Sequence, residues 1–452
     1  MIKTRFAPSP TGWLHIGGVR TALFSWLFSR SQSGQFILRI DDTDITRNTK
    51  EYCNAIISAL DLLGLNYDDD VVYQSTRFDV YIDRIEKLLN SGNAYYDKID
   101  KNEKTKDTNL KIQYSNRLNK DGHVIRFKNQ RKHQVEVSDL IHGKIVFNPK
   151  SFHDVVILRS NGVPTYNLTS VIDDIDFKIS HIIRGDDHLS NTAVQTNLFS
   201  AFQSETPSFA HLPMIHGKDG KRLSKRHGAI DINSFINEGY LPEAVVNYLA
   251  RTGWSHGDQE IFSMDELVKL FTLERVTKSS AIFDHDKLNW LNQHYIKNKE
   301  ISEIMKMISP YLDAINIEVK DKKYLESILK LGIERDFTLK KIAEGLTYYF
   351  EDDIIYDPEI IKKFNQKLVL SVIDKALERF KSTSFERKEE INKSMKTICN
   401  ELKLKFVEVG PIIRFGLTGR LKAPSIDDLC FVLGPDRTIK RLSTLRFLFK
   451  DN

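Results

Sequence analysis

An α/β half built on a doubly wound parallel sheet, joined to a C-terminal module of helices, is the fold class that the 452-residue sequence predicts. Three observations carry it. Strand and helix patterns alternate through residues 1–95, a polar stretch at 96–121 interrupts them, and from about residue 300 the apolar spacing is almost wholly helical.

In chain order, Lys3–Ala7 is a short strand stopped by Pro8. Gly17–Arg30 carries apolar residues at helical spacing, with Leu23 and Leu27 on one side and Phe24 and Phe28 beside them. Gln35–Ile40 reads as a second strand and Glu51–Leu65 as a second amphipathic helix; strand, helix, strand at this spacing predicts parallel pairing. Residues 96–121 nearly lack aliphatics and are rich in Lys, Asn and Asp, as expected of a surface insert and not of core. Strand-like runs return at Val124–Phe127, Ile145–Phe147 and Asp154–Arg159. His181–Arg184 is a further buried-type strand, and a helix starts near Ser190. In the last third, Asp357-Pro358 reads as an N-cap followed by proline at the first helical position. Val369, Val372, Ile373, Ala376, Leu377 and Phe380 then line one face. Ser425-Ile-Asp-Asp428 opens another helix with a capping-box-like start, which Gly434-Pro435 ends. There is no internal repeat.

Composition narrows the class. At ~150 residues per domain the length predicts about three domains. Apolar residues at 41% and charged residues at 28% exclude disordered and low-complexity chains. A net charge of +5 is mildly basic, so a polyanion site would be a local patch. Cys53, Cys399 and Cys430 are few and far apart, which fits a reducing compartment and argues against a disulfide framework. The N-terminus has no apolar signal-peptide region, and no apolar run reaches ~18 residues. A cytoplasmic protein with no membrane partner is expected.

Two strings carry chemistry. In Arg5-Phe-Ala-Pro-Ser-Pro-Thr-Gly-Trp-Leu-His-Ile-Gly-Gly18 a strand ends, a Pro/Gly-rich turn follows and a helix begins near Gly17. Free backbone N–H groups and the positive end of the helix dipole make such a junction an anion site. Gly17 and Gly18 let a flat ligand approach the backbone, and His15 could donate to a phosphate oxygen. The second string is Gly217-Lys-Asp-Gly-Lys-Arg-Leu-Ser-Lys-Arg-His-Gly228, where four cations and a serine lie between Gly220 and Gly228. Such a loop can close on a triphosphate and neutralise developing charge. Taken singly, the first string also fits a capped turn and the second a solvated charged loop.

Together the two strings resemble the signatures of class I aminoacyl-tRNA synthetases, His-Ile-Gly-His and Lys-Met-Ser-Lys-Ser. The first stands here as His15-Ile16-Gly17-Gly18 and the second as Arg222-Leu223-Ser224-Lys225-Arg226, with Arg in place of the first lysine. Longer strings are similar to bacterial glutamyl-tRNA synthetases: Arg5–Gly12, Leu38-Arg-Ile-Asp-Asp-Thr-Asp44, Pro164-Thr-Tyr-Asn167, Ile183-Arg-Gly-Asp-Asp-His-Leu189 and, near the C-terminus, Leu417-Thr-Gly-Arg-Leu421. The resemblance implies a Rossmann-like class I catalytic domain at 1–80 and 166–208. An α+β acceptor-end-binding insertion would occupy 81–165, a stem-contact domain with the Lys225 loop 209–301, and an all-α anticodon-binding region 302–452.

The same resemblance assigns roles. Arg5, Tyr166 and Arg184 would hold the glutamate side-chain carboxylate, which suits planar guanidinium groups, with Ala7 and Ser9 lining the site and Asp41 on the ammonium. The family usually carries Glu at positions 41 and 186; this chain carries Asp at both. ATP would meet His15, Gly17, Asp186, His188, Met214, Ile215, Arg222 and Lys225, with Mg²⁺ held mainly by phosphate oxygens. His15 and Lys225 would be the catalytic pair. Thr43 and Asp44 would neighbour the terminal tRNA adenosine, and Arg335 would read the third anticodon base. Some relatives bind zinc in the insertion; with no cysteine in the lysine-rich stretch behind Ala94–Lys98, and with His123 and His133 too few to close a tetrahedral site, none is expected.

The implied function is ATP-dependent ligation of L-glutamate to tRNA(Glu) through a glutamyl-adenylate, by a monomer. Whether tRNA(Gln) is charged as well stays open. Rivals are a short base-modifying paralogue, opposed by the C-terminal helices, and a glutaminyl enzyme, which would read Pro-Pro-Glu-Pro-Asn-Gly where this chain has Ala7-Pro-Ser-Pro-Thr-Gly12. A catalytically inactive tRNA-binding relative is opposed by intact Arg5, His15, Arg184 and Lys225.

Overall fold

The computed structural model describes residues 1–44, 47–99, 114–131, 134–149, 152–223 and 231–450. These fold as two compact units, Met1–Ile236 with Leu241–Leu291, and Asn237–Tyr240 with Asn292–Asn452.

The first unit runs β1 (Lys3–Phe6), α1 (Ile16–Ser31), β2 (Gln35–Ile40), α2 (Lys50–Leu62), β3 (Val72–Tyr73), α3 (Phe78–Asn90), β4 (Ala94–Lys98), β5 (His123–Phe127), β6 (Val135–Asp139), β7 (Gly143–Phe147) and β8 (Val156–Leu158). It continues through α4 (Tyr166–Asp176), β9 (His181–Gly185), α5 (Leu189–Ala201), β10 (Ser208–Leu212), β11 (Ile215–His216), α6 (Ile232–Asn237), α7 (Pro242–Arg251), α8 (Met264–Leu270), β12 (Ala281–Ile282) and α9 (His285–Lys297), whose last residues belong to the second unit.

β1, β2 and β3 pair in parallel in that order, and β9, β10 and β6 pair in parallel with β7 antiparallel at the edge. The Ser180 N–H donates to Lys3 O at 2.9 Å, so β1 and the start of β9 are neighbours. The strand order therefore reverses between β1 and β9, the position where open α/β sheets take their ligands. β2 is buried along nearly its whole length because helices cover both faces of a parallel sheet.

Several elements differ from the sequence-based expectation. Ile145–Phe147 is strand as expected, but its partner β6 was not anticipated; the β6–β7 hairpin widens the main sheet through Phe209↔Asp139. The Asp154–Arg159 run shortens to β8, which joins β4 and β5 in a small antiparallel sheet. Within the polar stretch 96–121, residues 100–113 lie outside the described residues, and Leu118 is not surface. It packs in one apolar cluster with Phe78, Tyr81, Ile125 and Phe127. Ile99, Leu110, Ile112 and Leu118 are too sparse and irregular in this polar run to show a period, so pattern alone could not place Leu118.

The second unit is helical, with α10 (Ile301–Ala314), α11 (Lys322–Ile333), α12 (Leu339–Phe350), α13 (Pro358–Ile361), α14 (Gln366–Phe380), α15 (Lys388–Leu402), α16 (Phe406–Thr418) and α17 (Ile426–Lys450). Asp357 caps α13 through Glu359 N–H at 2.8 Å. Val369, Val372, Ile373, Ala376 and Phe380 are buried as their spacing predicts, while Leu377 is half-buried. Gly434 is non-helical at φ 75, a conformation open to glycine at little cost, so α17 is two helical segments that meet at the expected Gly-Pro break. No helix among the described residues is long and apolar enough to cross a membrane.

Candidate active site

The C-terminal ends of β1 and β9 and the start of α1 open on a cleft of about 770 Å³. From the sequence-predicted set it gathers Arg5, Ala7, Ser9, Asp41, Tyr166 and Arg184 at the sheet ends. It also gathers His15, Gly17, His188, Met214, Ile215 and Arg222, with Thr43 and Asp44 in the same lining. Residues scattered over more than 200 positions therefore share one space.

Charge is distributed unevenly among the buried arginines. Arg5 donates from Nε to Asp174 Oδ1 at 3.1 Å, and Arg39 donates to the same oxygen at 2.8 Å. Arg39 also holds Asp41, Nε to Oδ1 at 2.7 Å. Arg5 and Arg39 are thus matched by carboxylates. Arg184, only 5% exposed, instead donates to three neutral acceptors: His211 Nε2 at 3.1 Å, Gln195 Oε1 at 2.7 Å and Thr192 Oγ1 at 2.8 Å. Burial lowers its pKa from the usual arginine value. The Tyr166 hydroxyl, itself in the cleft lining, and the more distant Asp174 favour its charge, and with five N–H donors the guanidinium has more than these three bonds use. A buried cation without a carboxylate partner is costly unless an anion arrives to meet it.

Asp41 is the acid of the set. Burial raises its carboxyl to about 6 even with Arg39 pulling it down. Tyr166 opens α4, and its hydroxyl lies 3.1 Å from His188 Nδ1. Burial first, then the nearby Arg184, lowers His188, keeping that imidazole neutral.

At the other end of the cleft His15 is the N-cap of α1, its Nδ1 accepting from Gly18 N–H at 3.1 Å. Burial, then Arg222, lowers its pKa, so the ring is neutral. With Nδ1 as acceptor the proton sits on Nε2, which makes His15 a donor toward whatever the helix start binds. Arg222 pairs with Asp187 at 3.3 Å, and Leu223 N–H donates to Ile215 O at 3.2 Å, so the chain entering the basic loop is held against β11. Ser224 and Lys225 lie outside the described residues.

Two predicted residues are elsewhere. Asp186 is absent from the cleft lining and sits 2.9 Å from His142 Nε2 on the β6–β7 turn; Asp187 takes its place in the lining. Arg335 belongs to the second unit, exposed just beyond α11, where it lies near Asp336 and Arg414. Sequence reasoning missed Arg39, Asp173, Asp174 and His211. Each had a faint signal: an ionisable residue inside an apolar run, as in Phe36-Ile-Leu-Arg-Ile40, Val171-Ile-Asp-Asp-Ile175 and Phe209-Ala-His-Leu212.

Comparison with known proteins gives the family. Residues 1–290 match the family model described as tRNA synthetases class I (E and Q), catalytic domain, and residues 303–446 match the anticodon binding domain. The chain belongs to the class I tRNA synthetases of the glutamate and glutamine type, and the fold is that of a class I catalytic domain followed by a helical anticodon domain. Among its relatives, proteins named glutamate–tRNA ligase stand out. One from Francisella philomiragia is 39% identical, with 98% of each chain covered. A Syntrophus aciditrophicus protein named glutamate–tRNA ligase 1 is 42% identical, over 98% of this chain and 96% of that one. A crystal structure of a glutamate tRNA ligase from Elizabethkingia meningosepticum in complex with its amino acid has a TM-score of 0.82 at 31% identity, covering 99% of both chains.

Proposed function

We propose that the chain ligates L-glutamate to tRNA(Glu) in two ATP-dependent steps. The observation that carries this reading is Arg184, a buried guanidinium whose hydrogen-bond partners are neutral and which lines the cleft. A substrate with a side-chain carboxylate satisfies it. Glutamine, with a neutral amide in the same place, leaves the charge unmatched. Arg5 and the Tyr166 hydroxyl complete the carboxylate pocket, Ala7 and Ser9 line it, and ionised Asp41 receives the ammonium. The printed names of the relatives support the same choice of amino acid.

ATP lies with its phosphates at the start of α1, where Gly17 allows close approach, the His15 Nε2–H donates and Arg222 adds charge. Met214, Ile215 and His188 flank the nucleoside. Mg²⁺ travels on the phosphate oxygens, whose charge it offsets. The glutamate α-carboxylate oxygen attacks the α-phosphorus as the bond to the bridging oxygen breaks, and pyrophosphate leaves. The protein supplies no nucleophile, only alignment and cationic stabilisation. Lys225 neutralises the charge that builds on the departing phosphates. The adenylate then passes its glutamyl group to the 2′-hydroxyl of the terminal tRNA adenosine, near Thr43 and Asp44, and AMP leaves.

The test is product stoichiometry. With glutamate, ATP, Mg²⁺ and tRNA(Glu), one AMP and one pyrophosphate should form for each glutamyl-tRNA. Formation of ADP and phosphate instead would overturn the adenylate route.

A further inference from the structure

We infer that Asp139 and His211, neither of them in the cleft lining, are positioning residues that fix the Arg184 guanidinium with its outer N–H groups turned to the ligand. This rests on reading the cleft as the glutamate site. Asp139 ends β6, and one of its oxygens accepts from the Ile141 and His142 N–H groups, both at 2.9 Å, which folds the β6–β7 turn around it. The other oxygen faces His211 on β10, taking the backbone N–H at 3.1 Å and lying 2.7 Å from ring Nδ1. A carboxylate there accepts, so Nδ1 carries the proton and Nε2 keeps its lone pair. Nε2 then accepts from Arg184 Nε at 3.1 Å and, at the same distance, from the hydroxyl of Thr192, whose oxygen in turn accepts from Arg184. His211 is 0% exposed, and burial lowers its pKa, so the ring stays neutral and the lone pair is kept.

Phe209 finishes the clamp. Its ring stacks on His211 at 5.9 Å between centroids and lies 5.4 Å from the guanidinium carbon of Arg184. The strand tie alone needs only the backbone bond from His211 to Asp139. Orienting the imidazole needs the carboxylate, because a neutral amide could offer its own donor to Nδ1 and drive the ring to the Nε2–H form. That form would set donor against donor at Arg184. By this route a residue of the inserted segment, remote from the ligand, helps set affinity for the amino acid.

The contrast between two near-isosteric variants tests it. Asn at position 211 can keep the Nδ1-like donor to Asp139 but places no acceptor at Nε2. Gln can place its oxygen near Nε2 but gives up the bond to Asp139. H211N should raise the KM for glutamate tenfold or more while the KM for ATP stays within threefold. H211Q should lie closer to the parent, and D139N should follow H211N. Parent enzyme failing to charge tRNA with glutamate would sink the reading of the cleft itself, whereas the variant-to-parent ratio judges this inference alone. An unchanged glutamate KM in folded H211N, an equal loss toward glutamate and ATP, or failure of both position-211 variants to fold would each overturn it, the last by assigning the ring to the fold.

Discussion

Two single residues carry opposite kinds of risk. Lys225 belongs to a polar, glycine-flanked stretch of sequence, and we expect Lys225→Ala to change stability by no more than about 0.5 kcal/mol. Aminoacylation should nevertheless fall by roughly two orders of magnitude or more if the ammonium serves the transition state. A melting curve and a charging rate on the same preparation separate these effects; near-parent charging would remove Lys225 from the mechanism. Asp41 is the opposite case, deep in the fold, with its carboxyl raised to about 6 by burial. Against an ordinary aspartate near ~3.9, the folded chain holds this proton over a window where the unfolded chain has lost it. Its contribution to stability is therefore fullest below the unfolded pKa and is lost as pH rises through the folded one. Binding runs the other way, since only the ionised carboxyl attracts an ammonium. The KM for glutamate should climb as pH falls through about 6, and Asp41→Asn should start high and lack that step. A parent KM that is flat across this range would contradict the role.

At the scale of elements, the first half of the sheet and α4 are locked together by Asp173. Its carboxylate accepts from Gln74 at 2.7 Å, Arg77 at 2.8 Å and the Tyr81 hydroxyl at 2.9 Å, all of them side chains from the segment running from β3 into α3. Removing it strands buried donors and a half-buried guanidinium. Asp173→Ala should cost about 3–5 kcal/mol, the usual loss when one partner of a buried pair is deleted. Urea denaturation reads this directly, and a loss below about 1 kcal/mol would mean that the junction is held by packing alone. The same junction shows what the sequence could and could not disclose. The string from Arg5 to Gly18 is contiguous, and its Pro, Gly and His each have a local mechanical meaning, so the start of α1 was legible from the residues alone. Asp139 pairs with His211, Asp173 with Arg77 and Asp174 with Arg5, at separations of 72 to 169 positions. Local pattern carries no information about such pairings; only the topology brings them together. Short strands such as β3 and β11, two residues each, were missed for a related reason: they are too brief to show a period.

The whole molecule must join chemistry in the first unit to recognition of tRNA, and in the second unit Arg335 is exposed beyond α11, near Asp336. Family resemblance points to this residue as the reader of the third anticodon base. Cytosine offers O2 and N3 as acceptors, whereas uracil has an N–H at N3, so a guanidinium can favour cytosine. Arg335→Gln should narrow the preference for anticodons ending in cytosine over those ending in uracil by roughly 1–3 kcal/mol, the scale of one base contact. Activation chemistry and thermal stability should change little. If kcat/KM ratios for the two tRNAs match the parent's, Arg335 is a surface arginine and another side chain discriminates.

The central claim is that the free donors of Arg184 select a carboxylate. Charging of tRNA(Glu) by the purified parent enzyme with labelled glutamate and, separately, labelled glutamine tests it most directly. A site built around a buried charge should reject the neutral isostere strongly, so kcat/KM should favour glutamate by about four orders of magnitude or more. Repeating the glutamate assay on tRNA(Gln) would show whether one or two tRNAs are served, a separate matter from the choice of amino acid. Comparable kcat/KM values for the two amino acids would contradict the account, because an unmatched guanidinium in the pocket cannot treat an amide and a carboxylate alike.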